Sequence, residues 1–261
     1  MNEEAERDRI DTICPNRAIV MGGSIAGLLA ARVLSEYYDQ VLVLERDSLP
    51  QRPALRKGTP QAAHAHALLV RGREILEQLF PGFTRSLARR GAFIGDMQHA
   101  VPVISGGRRF ADGFDGRLGL SASRALIEHE IRQRVQALPN VRLCDRVDVI
   151  EPLYLAAGQQ VAGVRVRVRR RAGDPAAIVH LLPGQVPDDA ETWLADLVID
   201  ATGRGSRTPV WLREWGYASA PEERVDVNVN YATAYYERRN DQNDGRGGVL
   251  CTATAEHRYS G

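Results

Sequence analysis

Arg17-Ala18-Ile19-Val20-Met21-Gly22-Gly23-Ser24-Ile25-Ala26-Gly27-Leu28, followed a helix length later by Val41-Leu42-Val43-Leu44-Glu45-Arg46-Asp47, decides how this chain folds. Ala18 to Met21 is an unbroken apolar run, the pattern of a strand covered on both faces. Leu28 to Leu34 carries on with the apolar spacing of a helix packed on a sheet. The glycines between them therefore form a strand-to-helix turn. Val41 to Leu44 is a second buried strand, and Glu45 ends it roughly 20 residues past the glycines, where a dinucleotide-binding unit keeps the carboxylate that holds ribose hydroxyls.

Each part has a physical task. Gly22 permits a tight turn, Gly27 lets the helix lie close on the strand, and the free N–H groups and positive dipole end of the helix, over Gly23, Ser24, Ile25 and Ala26, make an anion site suited to a pyrophosphate. Ser24 stands where G-x-G-x-x-G has its middle glycine, so the backbone approaches phosphates less freely there. Glu45 also has a plainer reading, as a charge that solvates a strand end.

The 261 residues are enough for one large core or two modest ones, and the apolar share of 44% is that of an ordinary globular protein. A net charge of +1 with acids and bases interspersed implies no nucleic-acid or membrane-surface field, which points to a small-molecule partner. Cys14, Cys144 and Cys251 lie far apart, arguing against a disulfide framework or structural zinc and fitting a reducing cytoplasm. Met1 to Asn16 reads as a loose charged tail without the apolar stretch of a signal peptide, and no segment approaches the ~20 apolar residues of a membrane span. No feature of the sequence sets an oligomeric state.

Beyond Glu45, Arg46 to Gln61 is an irregular loop of prolines and basic residues, whose arginines either meet phosphates or are simply solvated. His64 and His66 precede a helical face running from Leu68 to Phe80. No further His, Cys or acid stands at a matching spacing, so a hydrogen-bonded loop histidine is the expectation rather than a metal ligand. Short β-like runs fill Gly91 to Leu120, and Ser123-Arg124 opens an amphipathic helix carrying Leu126, Ile127, Ile131, Val135 and Leu138, with Glu128 as a capping partner. In the second arm of a hairpin, Val164, Val166 and Val168 alternate with Arg165, Arg167 and Arg169, a half-exposed strand with a charged outer face. Trp193 to Ile199 forms another apolar strand, ending at Asp200-Ala201-Thr202-Gly203-Arg204-Gly205-Ser206 before a helix with Val210, Trp211, Leu212 and Trp215 on its buried side. Val225 to Glu237 alternates like a long strand.

Taken together, the Gly22–Leu28 turn with Glu45-Arg46-Asp47, the Arg56-Lys57-Gly58-Thr59-Pro60-Gln61 stretch with His64-Ala65-His66, Ser123-Arg124 and the Asp200–Ser206 turn resemble the FAD-dependent monooxygenases. The likeness is to the superfamily of para-hydroxybenzoate hydroxylase and squalene epoxidase, in particular its polyprenyl-methoxyphenol-hydroxylase-like branch. The resemblance implies an α/β fold. A Rossmann-like, GR2-type FAD-binding domain with a parallel sheet would be interleaved with a mixed or antiparallel β-sheet substrate domain. Residues 17–90 and 121–217, the latter with a hairpin at 149–171 and a loop at 173–191, then belong to the FAD-binding domain. Residues 91–120 and 218–261 belong to the substrate domain.

The resemblance also implies FAD as cofactor, held by Gly22, Gly23, Ser24, Ile25, Ala26, Gly27, Glu45, Arg46, Arg56, Arg124, Asp200 and Gly203, with NAD(P)H as electron donor. In such enzymes a flavin C4a-hydroperoxide formed with dioxygen transfers one oxygen atom to a hydrophobic or aromatic small molecule. The family commonly has A-D-G where this chain has Ala201-Thr202-Gly203, with the acid displaced to Asp200. The family's late Gly-Asp is not found either, the Gly-Asp pairs here being Gly95-Asp96 and Gly173-Asp174 in expected loops, so a C-terminally truncated member is the expectation. The competing readings are a flavin-dependent reductase of prenyl double bonds and an inactive nucleotide-binding fragment. A flavin halogenase is disfavoured by the absence of W-x-W-x-x-P. A simple NAD dehydrogenase would leave the Ser123-Arg124 and Asp200 stretches unexplained.

Overall fold

The structure, a computed structural model, describes residues 16–64, 66–169, 190–230, 232–234, 236–237 and 246–255. The expected tail and the 173–191 loop fall outside these residues except for Asn16, Ala190 and Glu191, as does Gly173-Asp174. Along the chain come β1 (Arg17–Met21), α1 (Ile25–Leu34), β2 (Gln40–Glu45), β3 (Ala67–Leu68), α2 (Val70–Leu79), α3 (Phe83–Arg89), β4 (Phe93–Asp96), α4 (Met97–Ala100), β5 (Val103–Ser105), β6 (Arg108–Arg109) and β7 (Leu118–Ser121). There follow α5 (Arg124–Gln136), β8 (Val141–Asp145), β9 (Val147–Leu155), β10 (Gln160–Val168), β11 (Ala190–Leu194), β12 (Leu197–Asp200), α6 (Thr208–Glu214) and β13 (Leu250–Cys251). The chain alternates between two compact units, Met1–Thr59 with Ile131–Asn228, and Pro60–Glu130 with Val229–Gly261.

The first unit is built on a four-stranded parallel sheet in the order β12-β1-β2-β8. Its two central strands are buried beyond their first residues, which is why they read as continuous apolar runs rather than alternating ones. Ile19, Met21, Leu42 and Leu44 share one face and form a core with Val164, Val166, Trp193 and Trp211. The antiparallel sheet β11-β10-β9 thus covers that face. α1 packs against β1 and β2, burying Leu28 and Ala31. Each buried Val or Leu side chain contributes roughly 1.5–3 kcal/mol relative to exposure, so the two-sided cover supplies much of this unit's stability.

Hydrophobic alternation is followed closely in β10, where Val164 and Val166 are fully buried and Arg165 and Arg167 exposed. The arginines face solvent or short-range acids, Arg165 meeting Glu151 at 2.6 Å and Arg169 meeting Asp148 at 2.8 Å. The apolar run from Trp193 to Ile199, which reads as one strand, is two. Ala195 N–H bonds the Ala162 carbonyl (3.0 Å), Asp196 N–H bonds the Arg17 carbonyl (2.9 Å), and Asp196 Oδ2 accepts the Arg17 N–H (2.8 Å). Those bonds hand the chain from the antiparallel to the parallel sheet within two residues. In α6, Trp211 enters the core while Val210 remains exposed.

The second unit contains two small three-stranded sheets, β3-β7-β4 and β13-β5-β6, with α2, α3 and α4. Gly95-Asp96 is not a loop here. It ends β4, and Asp96 accepts N–H bonds from Gln98 and His99 at the start of α4 and from Asp115 and Gly116. α5 begins in this unit and from Ile131 belongs to the first, and it departs from the amphipathic expectation because Ile127, Glu128, His129, Glu130, Ile131 and Arg132 are all buried. Its charges are tolerated because they are paired: Arg124 with Glu128 at 3.0 Å, Glu130 with Arg90 at 3.5 Å, and Arg132 donating to the Pro50 carbonyl at 2.8 Å. Ser123, not Glu128, caps the helix, its Oγ accepting the Leu126 N–H at 3.2 Å.

Residues 225–230 form no strand. Val225, Val227 and Val229 are exposed there, since alternation alone cannot hold a strand without a neighbour to pair with. Among the described residues no helix is long and apolar enough to cross a membrane.

The two faces of β10 and β2 predict a sharp contrast in chemical denaturation. Leu44→Ala should cost about 2–5 kcal/mol of stability, whereas Arg167→Ala on the outer face should change it by less than about 0.5 kcal/mol.

Candidate functional site

The carboxyl ends of β12, β1 and β2 meet in one place, the edge of a parallel α/β sheet where ligands bind. The turn after β1 is fitted to its neighbours at three glycines. Gly22 has φ +106°, and a Cβ there would stand 2.6 Å from the Ala201 carbonyl oxygen; its N–H donates to the Leu44 carbonyl at 2.8 Å. A Cβ on Gly23 would lie 2.9 Å from Glu45 Cβ, and one on Gly27 would lie 1.8 Å from the Gly22 carbonyl oxygen. The missing side chains are what allow α1, β2 and the turn after β12 to converge. Ser24 is the extended N-cap residue of α1, and no acid stands in that helix's first turn. The first N–H groups of a helix have no partner within it. Ala26 is exposed and Ile25 half-buried, so this positive helix end opens outward.

Glu45 is 7% exposed and points back over the glycine turn. Its Oε2 accepts the Gly23 N–H at 3.0 Å and meets Arg56 Nη1 at 3.1 Å, while Oε1 accepts the Asp47 N–H at 2.9 Å. Among the described residues Oε1 takes that single bond, and a carboxylate oxygen has room for a second donor. Arg56 and Asp47 also line a cleft of about 250 Å³ with Ser48, Pro50, Leu55 and Lys57. Arg46 is exposed, its carbonyl taken by the Arg169 guanidinium.

Asp200 closes β12 in a different manner. Its Oδ1 accepts the Thr202 N–H (2.8 Å) and hydroxyl (2.5 Å), and its Oδ2 accepts the hydroxyls of Ser206 (2.6 Å) and Thr208 (2.5 Å). Burial pushes this carboxyl up, but the hydroxyls of Ser206, Thr202 and Thr208 with the Thr202 N–H outweigh it and hold its pKa below the ordinary value. All four acceptor positions are thereby used within the chain, so Asp200 ties the turn to the start of α6 and presents no oxygen to a ligand. Gly203, at φ +71°, and Gly205 are exposed, and neither would meet an atom within 4 Å through a Cβ.

The first unit therefore brings together Gly22, Gly23, Ser24, Ile25, Ala26, Gly27, Glu45, Arg46, Arg56, Asp200 and Gly203. Arg124 belongs to the second unit, paired with Glu128. His64 and His66 are hydrogen-bonded loop residues of that unit, to Thr233 Oγ1 (3.0 Å) and to the His64 carbonyl (2.8 Å) respectively. No group of His, Cys, Asp and Glu suited to a metal ion occurs among the described residues. Burial pushes the Cys144 thiol up to about 11, which leaves it protonated and unreactive. Sequence reasoning missed Asp47 as a partner of Arg56, although the Glu45-x-Asp47 spacing beside a basic loop was its signal.

With its parallel sheet, glycine turn and accessory antiparallel sheet, the chain has an α/β fold of the kind found in solved Rossmann-type flavoproteins. Its structural neighbours include the myxobacterial chondrochloren halogenase CndH, a variant of FAD-dependent halogenases. That likeness has a TM-score of 0.51 at 22% identity and covers 74% of this chain and 39% of CndH. A flavoprotein/dehydrogenase from Cytophaga hutchinsonii matches with a TM-score of 0.51 at 14% identity, over 91% of this chain and 50% of its own. At these identities the likeness is one of fold. In sequence the chain is 38% identical over 222 residues to protein Rv3254 of Mycobacterium tuberculosis, covering 84% of this chain and 44% of the relative. It thus spans less than half the length of that curated relative. No protein-family model matches it.

The Asp200 network carries a pH signature. Its folded pKa lies below the unfolded one, so the stability it contributes is fully present above the ordinary value of 3.8 and is lost as pH falls through the lower folded value. Thermal melts of Asp200→Asn should start lower than wild type at neutral pH and lose less on acidification below 3.8.

Proposed function

We propose that this chain binds FAD through its first unit and that the protein is an FAD-dependent oxidoreductase. The reading is carried by one observation, the cradle at Gly22, Gly23 and Gly27, whose missing Cβ atoms bring a helix N-terminus and the Glu45 carboxylate to the same strand edge. The residues present fit the group. The N–H groups of Ser24, Ile25, Ala26 and Gly27 with the α1 dipole suit the pyrophosphate. Glu45 Oε1, with an acceptor position left, suits a ribose hydroxyl. The exposed turn at Gly203 and Gly205 offers backbone donors from the neighbouring strand, and Asp200 holds that turn in shape without touching the cofactor. Arg46, exposed beside Glu45, supplies positive charge toward the same phosphates.

FAD, when bound, supplies the redox chemistry, accepting hydride from NAD(P)H and, in a monooxygenase, activating dioxygen. The chain's own residues orient it and keep water from its buried side, Gly23 and Glu45 both being buried. We take the whole protein's reaction to be the hydroxylation or epoxidation of a hydrophobic or aromatic small molecule. What supports this is the resemblance of the glycine turn, the Arg56–Gln61 stretch and the Asp200–Ser206 turn, together with the shared fold.

Titration of the purified chain with FAD tests the reading. Saturable quenching of flavin fluorescence is expected, weakened ~10-fold or more by Glu45→Gln and abolished by Gly23→Val, whose side chain would enter the space of Glu45. A chain that leaves the fluorescence and melting temperature of the mixture unchanged overturns it. NADPH consumption coupled to oxygen uptake supports the monooxygenase, and consumption without oxygen uptake a reductase.

A further inference from the structure

The loop after β2 is basic, and its arginines are the natural suspects for phosphate contact. Arg56 is placed otherwise. Its side chain is 4% exposed, with Nη1 shared between Glu45 Oε2 at 3.1 Å and Asp47 Oδ2 at 3.4 Å. Asp47 Oδ2 also accepts the Gly58 N–H at 2.8 Å, and a Cβ on Gly58 would stand 2.7 Å from that oxygen. The Thr59 N–H returns to the Arg56 carbonyl at 3.1 Å. Residues 56–59 are thus fastened onto the end of β2. Glu45 Oε2 is held from two sides, by the Gly23 N–H and by Arg56, and this fixes the carboxylate with Oε1 as the oxygen that retains an acceptor position. Removing either partner of such a buried ion pair leaves an uncompensated buried charge.

We propose that Arg56 is a positioning residue for the ribose of the bound adenine nucleotide. It acts through Glu45, locking the carboxylate against the glycine turn, and does not reach the phosphates. The inference rests on the nucleotide-binding reading of this site. It makes a distinctive demand on ligand dependence: a residue working through the ribose acid affects adenosine as much as ADP or FAD, whereas a phosphate ligand affects only the latter two.

Adenosine, ADP and FAD are titrated into the full chain and its Arg56→Met, Arg56→Lys, Glu45→Gln and Arg56→Met/Glu45→Gln variants, with melting curves to register folding. Arg56→Met is expected to weaken all three ligands by one common factor, ~10- to 100-fold. Lysine should restore part of the loss, and the double variant should bind no more weakly than the weaker single one. Weakening of ADP and FAD with adenosine unchanged, or losses that add in the double variant, would place Arg56 on the phosphates and overturn the proposal. If Arg56→Met melts too early to titrate, Arg56→Lys carries the same comparison, since it keeps the charge but loses the reach and the planar fork of the guanidinium. An unaltered chain that binds neither ADP nor FAD is a different failure, that of the nucleotide-binding reading itself, and takes this inference with it.

Discussion

Everything at the strand edge depends on one steric constraint: three backbones meet at Gly22 with no room for a side chain. The residue is in the left-handed region, its N–H is spent on the β2 carbonyl of Leu44, and the turn after β12 presses a carbonyl into the space a Cβ would fill. Gly27 repeats the constraint one helical turn on, where α1 lies against the Gly22 carbonyl. The buried apolar strands make the sheet stable. The glycines alone allow the helix end and two strand ends to be brought close enough to form a site.

The acids that close strands in the two units differ by how many of their acceptor positions the chain itself uses. Asp200 and Asp96 each take four hydrogen bonds from their own surroundings, so each fixes a turn or a helix start and offers nothing to a ligand. Glu45 takes three contacts, two of them on one oxygen. An acceptor position left over, and not place in the sequence, is what sets Glu45 apart as the carboxylate proposed to meet a ligand, since all three acids close strands.

Much of this was legible in the residues. Continuous apolar runs at Ala18–Met21 and Val41–Leu44 gave a buried parallel sheet, the Gly22 to Gly27 spacing gave the strand-to-helix turn, and the Val/Arg alternation of β10 gave its two faces. Less visible was whatever depends on partners distant in sequence. Nothing local says that Arg56 is buried against Glu45, that Asp196 divides one apolar run between two sheets, or that α5 can bury Glu130 and Arg132 because Arg90 and the Pro50 carbonyl partner them. The valines at 225, 227 and 229 fail in the opposite sense, because alternation describes a strand's faces but cannot provide the neighbour it must pair with.

The most direct test of the central claim is an amide NMR spectrum of the labelled chain recorded during titration with ADP. If the glycine cradle holds a pyrophosphate beside Glu45, the largest shifts fall on the N–H groups of Gly23 to Gly27 and of Glu45 to Asp47. Shifts confined to other parts of the chain, with those amides unmoved at saturation, would contradict it.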